Sequence, residues 1–262
     1  MCENKKVFFK VIIPAYNCEK YIERCIESIE EQTFKDFEIV VVDDMSTDNT
    51  IKMLRELKNK YQNLFVVASH KKRYNGGARN VGIDFKIDSS YTLFIDNDDY
   101  FHDNRVFEDI YDKIIENNYP DCVSLSYGCK IGEHIGEVSL IRDNIDSLVN
   151  SLYVACWTKC IKSDKVVKFP ENTLMEDVVQ HIAQCDVLND DKLVSLDRVC
   201  VVWDRNNENS CSLKPSDKRK SSEFRQVADL MDLYLEKDIC VAHRDWRVEC
   251  MKDTLFSGGH LY

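Results

Sequence analysis

Tyr91-Thr92-Leu93-Phe94-Ile95-Asp96-Asn97-Asp98-Asp99 carries a short apolar run straight into three carboxylates. Such a run reads as a buried strand that delivers acidic groups to the edge of a sheet. Residues two apart on an extended chain point to the same side, so Asp96 and Asp98 can face one ligand together. Three carboxylates this close repel one another, and burying them unpaired is costly. A divalent cation removes the conflict, because hard ions such as Mg2+ and Mn2+ prefer oxygen ligands. Mg2+ usually takes one or two protein carboxylates and fills its shell from water and substrate phosphates. Two readings therefore stand: a metal–diphosphate site, or a solvated acidic turn or Asp helix cap ahead of Arg105-Val106-Phe107.

Working outward, strand-like and helical patterns alternate through the first hundred residues. Phe8 to Ile13 is a β-rich run closed by Pro14, and Ile22, Cys25, Ile26 and Ile29 follow at helical spacing. Glu38 to Val42 is the next run, stopped by Asp43-Asp44. Ser46 or Asp48 is placed to cap a helix bearing Ile51, Leu54 and Leu57. Leu64 to Ala68 predicts a third strand, Asn75-Gly76-Gly77 the opening of a third helix, and Thr92 to Ile95 a fourth strand. Strands separated by helices imply an α/β fold, with a mostly parallel central sheet, flanking helices and right-handed crossovers. Ligands of such sheets bind beyond the carboxyl ends of the strands. Tyr16-Asn17, Asp43-Asp44 and Asp96 to Asp99 all fall at that edge, which points to a nucleotide-type site.

Beyond residue 105 the pattern loosens. Val106 to Ile115 predicts a helix, Asp121 to Tyr127 a strand, and Leu193 to Trp203 one or two more. Residues 128–150 read as a variable, partly exposed region. Phe224, Val227, Ala228, Met231, Tyr234 and Leu235 form an apolar stripe that predicts C-terminal helix. Ser257 to Tyr262 is not an obvious stop, so the chain is expected to continue.

At 262 residues, 44% hydrophobic and 31% charged, the chain can bury a sizeable core. A net charge of -11 argues against nucleic acid as the main partner. No secretory signal and no stretch of ~20 apolar residues are evident, which predicts a cytoplasmic protein, peripheral at most to the inner face of a membrane. Lys214 to Lys220 reads as a solvated loop or as a contact for anionic lipid. The 12 cysteines lack any C-x-x-C, and most occupy apolar-face positions, as expected of reduced core thiols.

Five segments occur in order: Val11 to Asn17, Val40 to Asp48, Asn75 to Gly82, Phe94 to Asp99, and Leu174-Met175-Glu176-Asp177-Val178. The series resembles the family 2 inverting glycosyltransferases of GT-A (Rossmann-like) fold, densely over residues 8–105 and more sparsely over 153–213. That resemblance implies a donor-binding half in 1–105 and an acceptor-binding, catalytic half in 106–213. A helical extension would follow in 214–262. It implies transfer of a hexosyl residue from a UDP-sugar to a hydroxyl of a glycan or lipid-linked acceptor, with Mn2+ or Mg2+ as cofactor. Pro14, Ala15, Tyr16 and Asn17 would then lie against base and ribose. Asp44 would meet the uracil ring N–H with Asp43 in support, unless the pair is a capped turn.

Gly76 and Gly77 allow close approach to the donor at a helix N-terminus, and Arg79 would reach ribose or diphosphate. Asp96, with Asn97, would contact ribose, and Asp98 and Asp96 would ligate the metal. Asp177 matches the general base and Glu176 its neighbour, although both also suit a helix start. On the acceptor side stand Asp99 and Trp157, the latter as a stacking platform or as core. Arg205, with Asn206, Asn207 and Ser210, matches a loop that closes over diphosphate. His181, His243 and His260 read as structural or surface residues. Met45 departs from a position usually small in relatives. A sugar-1-phosphate nucleotidylyltransferase would show a Gly-rich, basic loop after the first strand, where Pro14-Ala15-Tyr16-Asn17 stands. A non-catalytic nucleotide-sugar-binding module would need no Asp177.

Overall fold

The computed structural model describes residues 6–149, 155–171 and 176–207. The first four strands are β1 (Val7–Ala15), β2 (Phe37–Asp43), β3 (Leu64–Ala68) and β4 (Ser89–Phe94). They pair in parallel in the order β3-β2-β1-β4, joined by helices α1 (Ile22–Glu30), α2 (Thr50–Lys60) and α3 (Tyr74–Asp84). Strands covered on both faces need apolar residues at every position, not at alternate ones. Accordingly Phe9, Val11, Ile13, Ile39, Val41, Leu93 and Ile95 face one core with Ile22, Cys25, Ile26 and Ile29 of α1. Ile12 and Phe94 face the opposite side, as do Val40 and Val42, which pack with Ala78 of α3. Each fully buried aliphatic or Phe side chain contributes about 1.5–3 kcal/mol of transfer free energy. Pro14 does not end β1; it pairs with Val42 inside it.

The second half departs from the parallel pattern. Strand β5 (Tyr100–Phe101) precedes helix α4 (Val106–Glu116), strand β6 (Cys122–Ile131), strand β7 (His134–Val138) and the short helix α5 (Ile145–Val149). Strand β8 (Lys159–Lys162), helix α6 (Glu176–Cys185) and strand β9 (Leu193–Asp204) complete the described chain. The sheet continues β4-β8-β6-β9-β5, with β7 on β6. Strand β8 is antiparallel to both neighbours, β6 and β9 are parallel, and β5 runs against β9. The sheet is therefore parallel across its first four strands and mixed beyond them. The expected variable region 128–150 contributes the β6–β7 hairpin, and Leu193 to Trp203 is one long strand.

Strand β5 begins six residues after β4 ends, yet it lies at the far end of the hydrogen-bonded order. Four flat strand spacings come to about 19 Å, and the connecting segment is folded into a turn by Asp99 N–H donating to the Asp96 carbonyl. The sheet must curl to bring β9 and β5 back to it. The acidic turn thus bridges the two ends of the curl, which places its side chains among four elements. No helix among the described residues is long and apolar enough to cross a membrane. The eight described cysteines are free, and all but Cys129 are buried. The expected C-terminal helix, Lys214 to Lys220, His243 and His260 lie outside the described residues.

Candidate active site

The site is built at the carboxyl ends of β1, β2 and β4 and the start of α6. Its centre is Arg79, fully buried one turn into α3. One guanidinium nitrogen donates to Glu176 Oε1 at 2.6 Å and to Asp177 Oδ1 at 3.0 Å. The other donates to Asp96 Oδ1 at 2.6 Å, and the guanidinium carbon lies 5.2 Å from the Phe169 ring centroid. With no exposed surface, Arg79 turns its donors to carboxylates of the chain itself. The reason is electrostatic: three carboxylates from β4 and α6 gather on one cation, which charge-assisted, forked hydrogen bonding favours.

Glu176 and Asp177 share this cation unequally. The Glu176 side chain is 5% exposed and Asp177 24%. Burial, then the charge of Asp177, pushes the Glu176 carboxyl up to about 8. Burial also raises Asp177, against the opposing pull of Arg79. Both are thus more basic than an ordinary carboxylate, and Asp177 is the one with an open side. Both lie in the first turn of α6, so capping and chemistry coincide there.

Gly76 explains how α6 comes so near α3. A Cβ at Gly76 would stand 2.4 Å from the Pro170 carbonyl oxygen and 3.0 Å from Glu176 Cβ, and one at Gly77 would stand 2.7 Å from Arg73 Cβ. The close approach these glycines permit is thus to the chain itself, where the sequence suggested a donor molecule.

Asp44 is engaged within the chain as well. Its Oδ1 accepts from Arg73 N–H (2.8 Å) and its Oδ2 from Tyr74 N–H (2.9 Å), with Lys72 Nζ 3.0 Å away. The side chain caps α3 from a distant strand, the capped-turn alternative transposed to the next helix. Its neighbour Asp43 accepts Ser46 N–H through Oδ2, while its buried Oδ1 has no hydrogen-bond partner among the described residues.

Ala15 ends β1; the carbonyl of Pro14 before it accepts from Asn97 Nδ2 at 2.9 Å, and the Ala15 carbonyl accepts Asp44 N–H at 2.8 Å. Asn97 therefore ties two strand ends together. Asn17, at φ 48°, accepts Thr47 N–H on its side chain and donates its N–H to Ser46 Oγ. Tyr16 is 44% exposed, and Lys72 Nζ lies 2.9 Å from its ring centroid. Met45, also exposed, has φ 65°, which is why glycine suits that position. Asp48 Oδ1 accepts Thr50 N–H just before α2, and Ser46 serves Asn17 instead of capping a helix.

On the acidic turn, Asp98 Oδ2 accepts from Asn207 Nδ2 at 2.7 Å, and its carboxyl is raised by burial and then by Asp96. Asp99 is buried and accepts Asp204 N–H at 2.9 Å; burial and its acidic neighbours hold it well above the usual carboxylate range. Its side chain turns inward, toward the end of β9. Trp157 is only 6% exposed and packs edge-on against Tyr127 at 5.1 Å between centroids. It is core, with no free face for a sugar. Arg205 lies over the Trp203 ring at 5.0 Å, and Ser210 falls outside the described residues. His181 is buried, with Lys159 Nζ 3.2 Å from Nδ1 and the Leu148 carbonyl 3.1 Å from Nε2.

Among the described residues no three His, Cys, Asp or Glu side chains form a ready metal cage. Asp96 and Asp98 are two hard oxygen donors, each held by a hydrogen bond through one carboxylate oxygen. Such a pair fits an ion that takes one or two carboxylates and completes its shell from phosphates and water. Arg24 and Asp204, which carried no motif, also reach this turn: Arg24 donates to the Asp98 carbonyl and to Asp204 Oδ2.

The family model for Glycosyl transferase family 2 matches residues 10–153, more than half of the chain. The minor teichoic acid biosynthesis protein GgaB of Bacillus subtilis is 31% identical over 74% of the chain and 21% of its own length. The poly(ribitol-phosphate) beta-N-acetylglucosaminyltransferase TarS of Staphylococcus aureus is 39% identical over 36% of the chain and 17% of its own length. The chain thus spans about a fifth or less of these curated relatives. A crystal structure of S. aureus TarS 1-349 in complex with UDP-GlcNAc superposes with a TM-score of 0.73 at 23% identity, covering 96% of this chain and 71% of that one. The mannosyltransferase PcManGT of Pyrobaculum calidifontis, in complex with GDP-Man and Mn2+, gives 0.61 at 16% identity, covering 98% and 70%.

Proposed function

Because the chain belongs to glycosyl transferase family 2 and has the GT-A fold, we propose that it is the catalytic module of an inverting, divalent-metal-dependent hexosyltransferase. Its donor is a UDP-sugar and its acceptor a hydroxyl of a glycan or lipid-linked saccharide. The UDP-GlcNAc complex of TarS supports the donor class. The glycopolymer names of TarS and GgaB support the acceptor class.

The observation that carries this reading is the Arg79 hub. A single buried cation ties Asp96, at the donor edge, to Asp177, at the start of α6. In one displacement the acceptor oxygen attacks the anomeric carbon from the face opposite the nucleotide. The new C–O bond forms as the bond to the UDP oxygen breaks, and the configuration inverts. The acceptor's proton passes to Asp177, whose raised basicity and open side suit a general base. Glu176, buried against Arg79, orients that hub. Asp96 and Asp98 would hold Mn2+ or Mg2+, which supplies Lewis-acid neutralisation of the diphosphate. The exposed Tyr16 ring belongs to the base-binding side, with Asp43 and Asp44 at the end of β2.

Asp177→Asn tests the assignment. Calorimetry should show UDP binding within about twofold of the parent, while transfer falls by about 10²–10⁴-fold. Transfer at the parental rate would remove Asp177 from the role of base.

A further inference from the structure

We propose that Arg24 is a positioning residue for the acidic turn, setting the aim of Asp98 by clamping its backbone to the end of β9. The inference deepens the donor reading above and rests on it. Arg24 stands on the solvent side of α1. Its fork donates to the Asp98 carbonyl at 2.5 Å and to Asp204 Oδ2 at 2.6 Å, and its guanidinium lies 4.5 Å from the Tyr100 ring centroid. The clamp joins segments far apart in sequence: α1, the turn after β4, and the last residue of β9. The end of β9 grips the same turn twice more, through Asp204 N–H on Asp99 Oδ1 and Asn207 Nδ2 on Asp98 Oδ2.

Asp98, Asp99 and Asp204 crowd three carboxylates into this corner, and Arg24 supplies the adjacent positive charge. Its side chain is 38% exposed, so its pairing contributes little to stability at a surface dielectric. What the fork supplies is direction. A carboxylate that must ligate a cation is oriented by the peptide carrying it, and Arg24 fixes that peptide through its carbonyl. Partners of this kind typically change metal affinity by about 10–100-fold without touching the ion. A lysine at the same place carries the charge but lacks the planar fork that reaches both acceptors.

The test uses the full chain with UDP and Mn2+, and follows bound Mn2+ by electron paramagnetic resonance with UDP saturating. Arg24→Ala and Arg24→Lys should each retain Mn2+ about tenfold more weakly than the parent. Arg24→Lys should keep the parent's thermal midpoint without metal, and excess Mn2+ should restore its donor turnover. The lysine variant alone suffices if the alanine variant does not fold. Parental Mn2+ affinity in both variants overturns the proposal, as does a loss in Arg24→Lys that excess Mn2+ fails to restore. A parent that retains no Mn2+ with UDP present sinks the donor reading itself, before any variant is compared.

Discussion

Two arginines flank the acidic turn, and they are used in opposite ways. Arg79 is enclosed and spends its donors on three side-chain carboxylates. Arg24 is partly open and grips one backbone carbonyl and one carboxylate. On the enclosed flank one buried cation holds three carboxylates, so each partner depends on the others for its place. On the open flank, water screens the charges, and what remains is directional hydrogen bonding. The turn is therefore anchored on one side and trimmed on the other. The anchored side carries Asp177, which in the proposed reaction must keep a fixed position relative to the donor. The trimmed side carries Asp98, which in the same proposal would adapt to an ion and a diphosphate.

The sharpest way to break this contrast is Arg79→Met. Removing the cation strands Glu176 in a buried site, which should cost about 3–5 kcal/mol in urea denaturation. A loss below about 1 kcal/mol would mean that the enclosed flank is wetter than its geometry implies. Next in size is Gly76→Ala, which puts a methyl group against the Pro170 carbonyl, an atom of the backbone that cannot swing aside. It should cost about 1–3 kcal/mol, together with reduced transfer as α6 is pushed from α3. Parental stability in that variant would show that the α3–α6 contact has slack. The smallest effect belongs to the open flank: Arg24→Ala should lower stability by less than about 1 kcal/mol. A larger loss in denaturation would make Arg24 a second structural anchor and erase the distinction.

The parallel half of the molecule was legible because each of its strands is a near-continuous apolar run and its first two helices carry apolar stripes, while Asn75-Gly76-Gly77 marked the third. Strands β5, β7 and β8 gave no such signal. Tyr100–Phe101 is two residues long, His134–Val138 is half exposed, and Lys159–Lys162 begins and ends in lysine. Their pairing is set by partners distant in sequence, which no local period encodes. The candidate site followed the same division. The quoted segments name residues that the fold does bring to one edge, but not what each touches. Arg79 meets partners 97 and 98 residues away, and that destination decides between ligand contact and buried hub. The burial of Asp44, Asp99 and Trp157 was hidden from the sequence for the same reason, since burial is a property of packing. Arg24 gave no warning at all, because an arginine on the polar face of an amphipathic helix reads as solvated.

The curl of the sheet has a consequence for how such a chain can diversify. The segment from Ile95 to Asp99 is the shortest span across the curl, tied at one end to β4 and at the other to β5 and β9. Adding or deleting a residue there would unseat the seam as well as the chemistry, so its length is not free to drift. The β6–β7 hairpin carries no such duty. Its strand β7 hangs from the path on β6 alone, and insertions there leave the seam closed. Changes of length are tolerated at that margin, while the acidic turn is held to a fixed number of residues by the seam it closes.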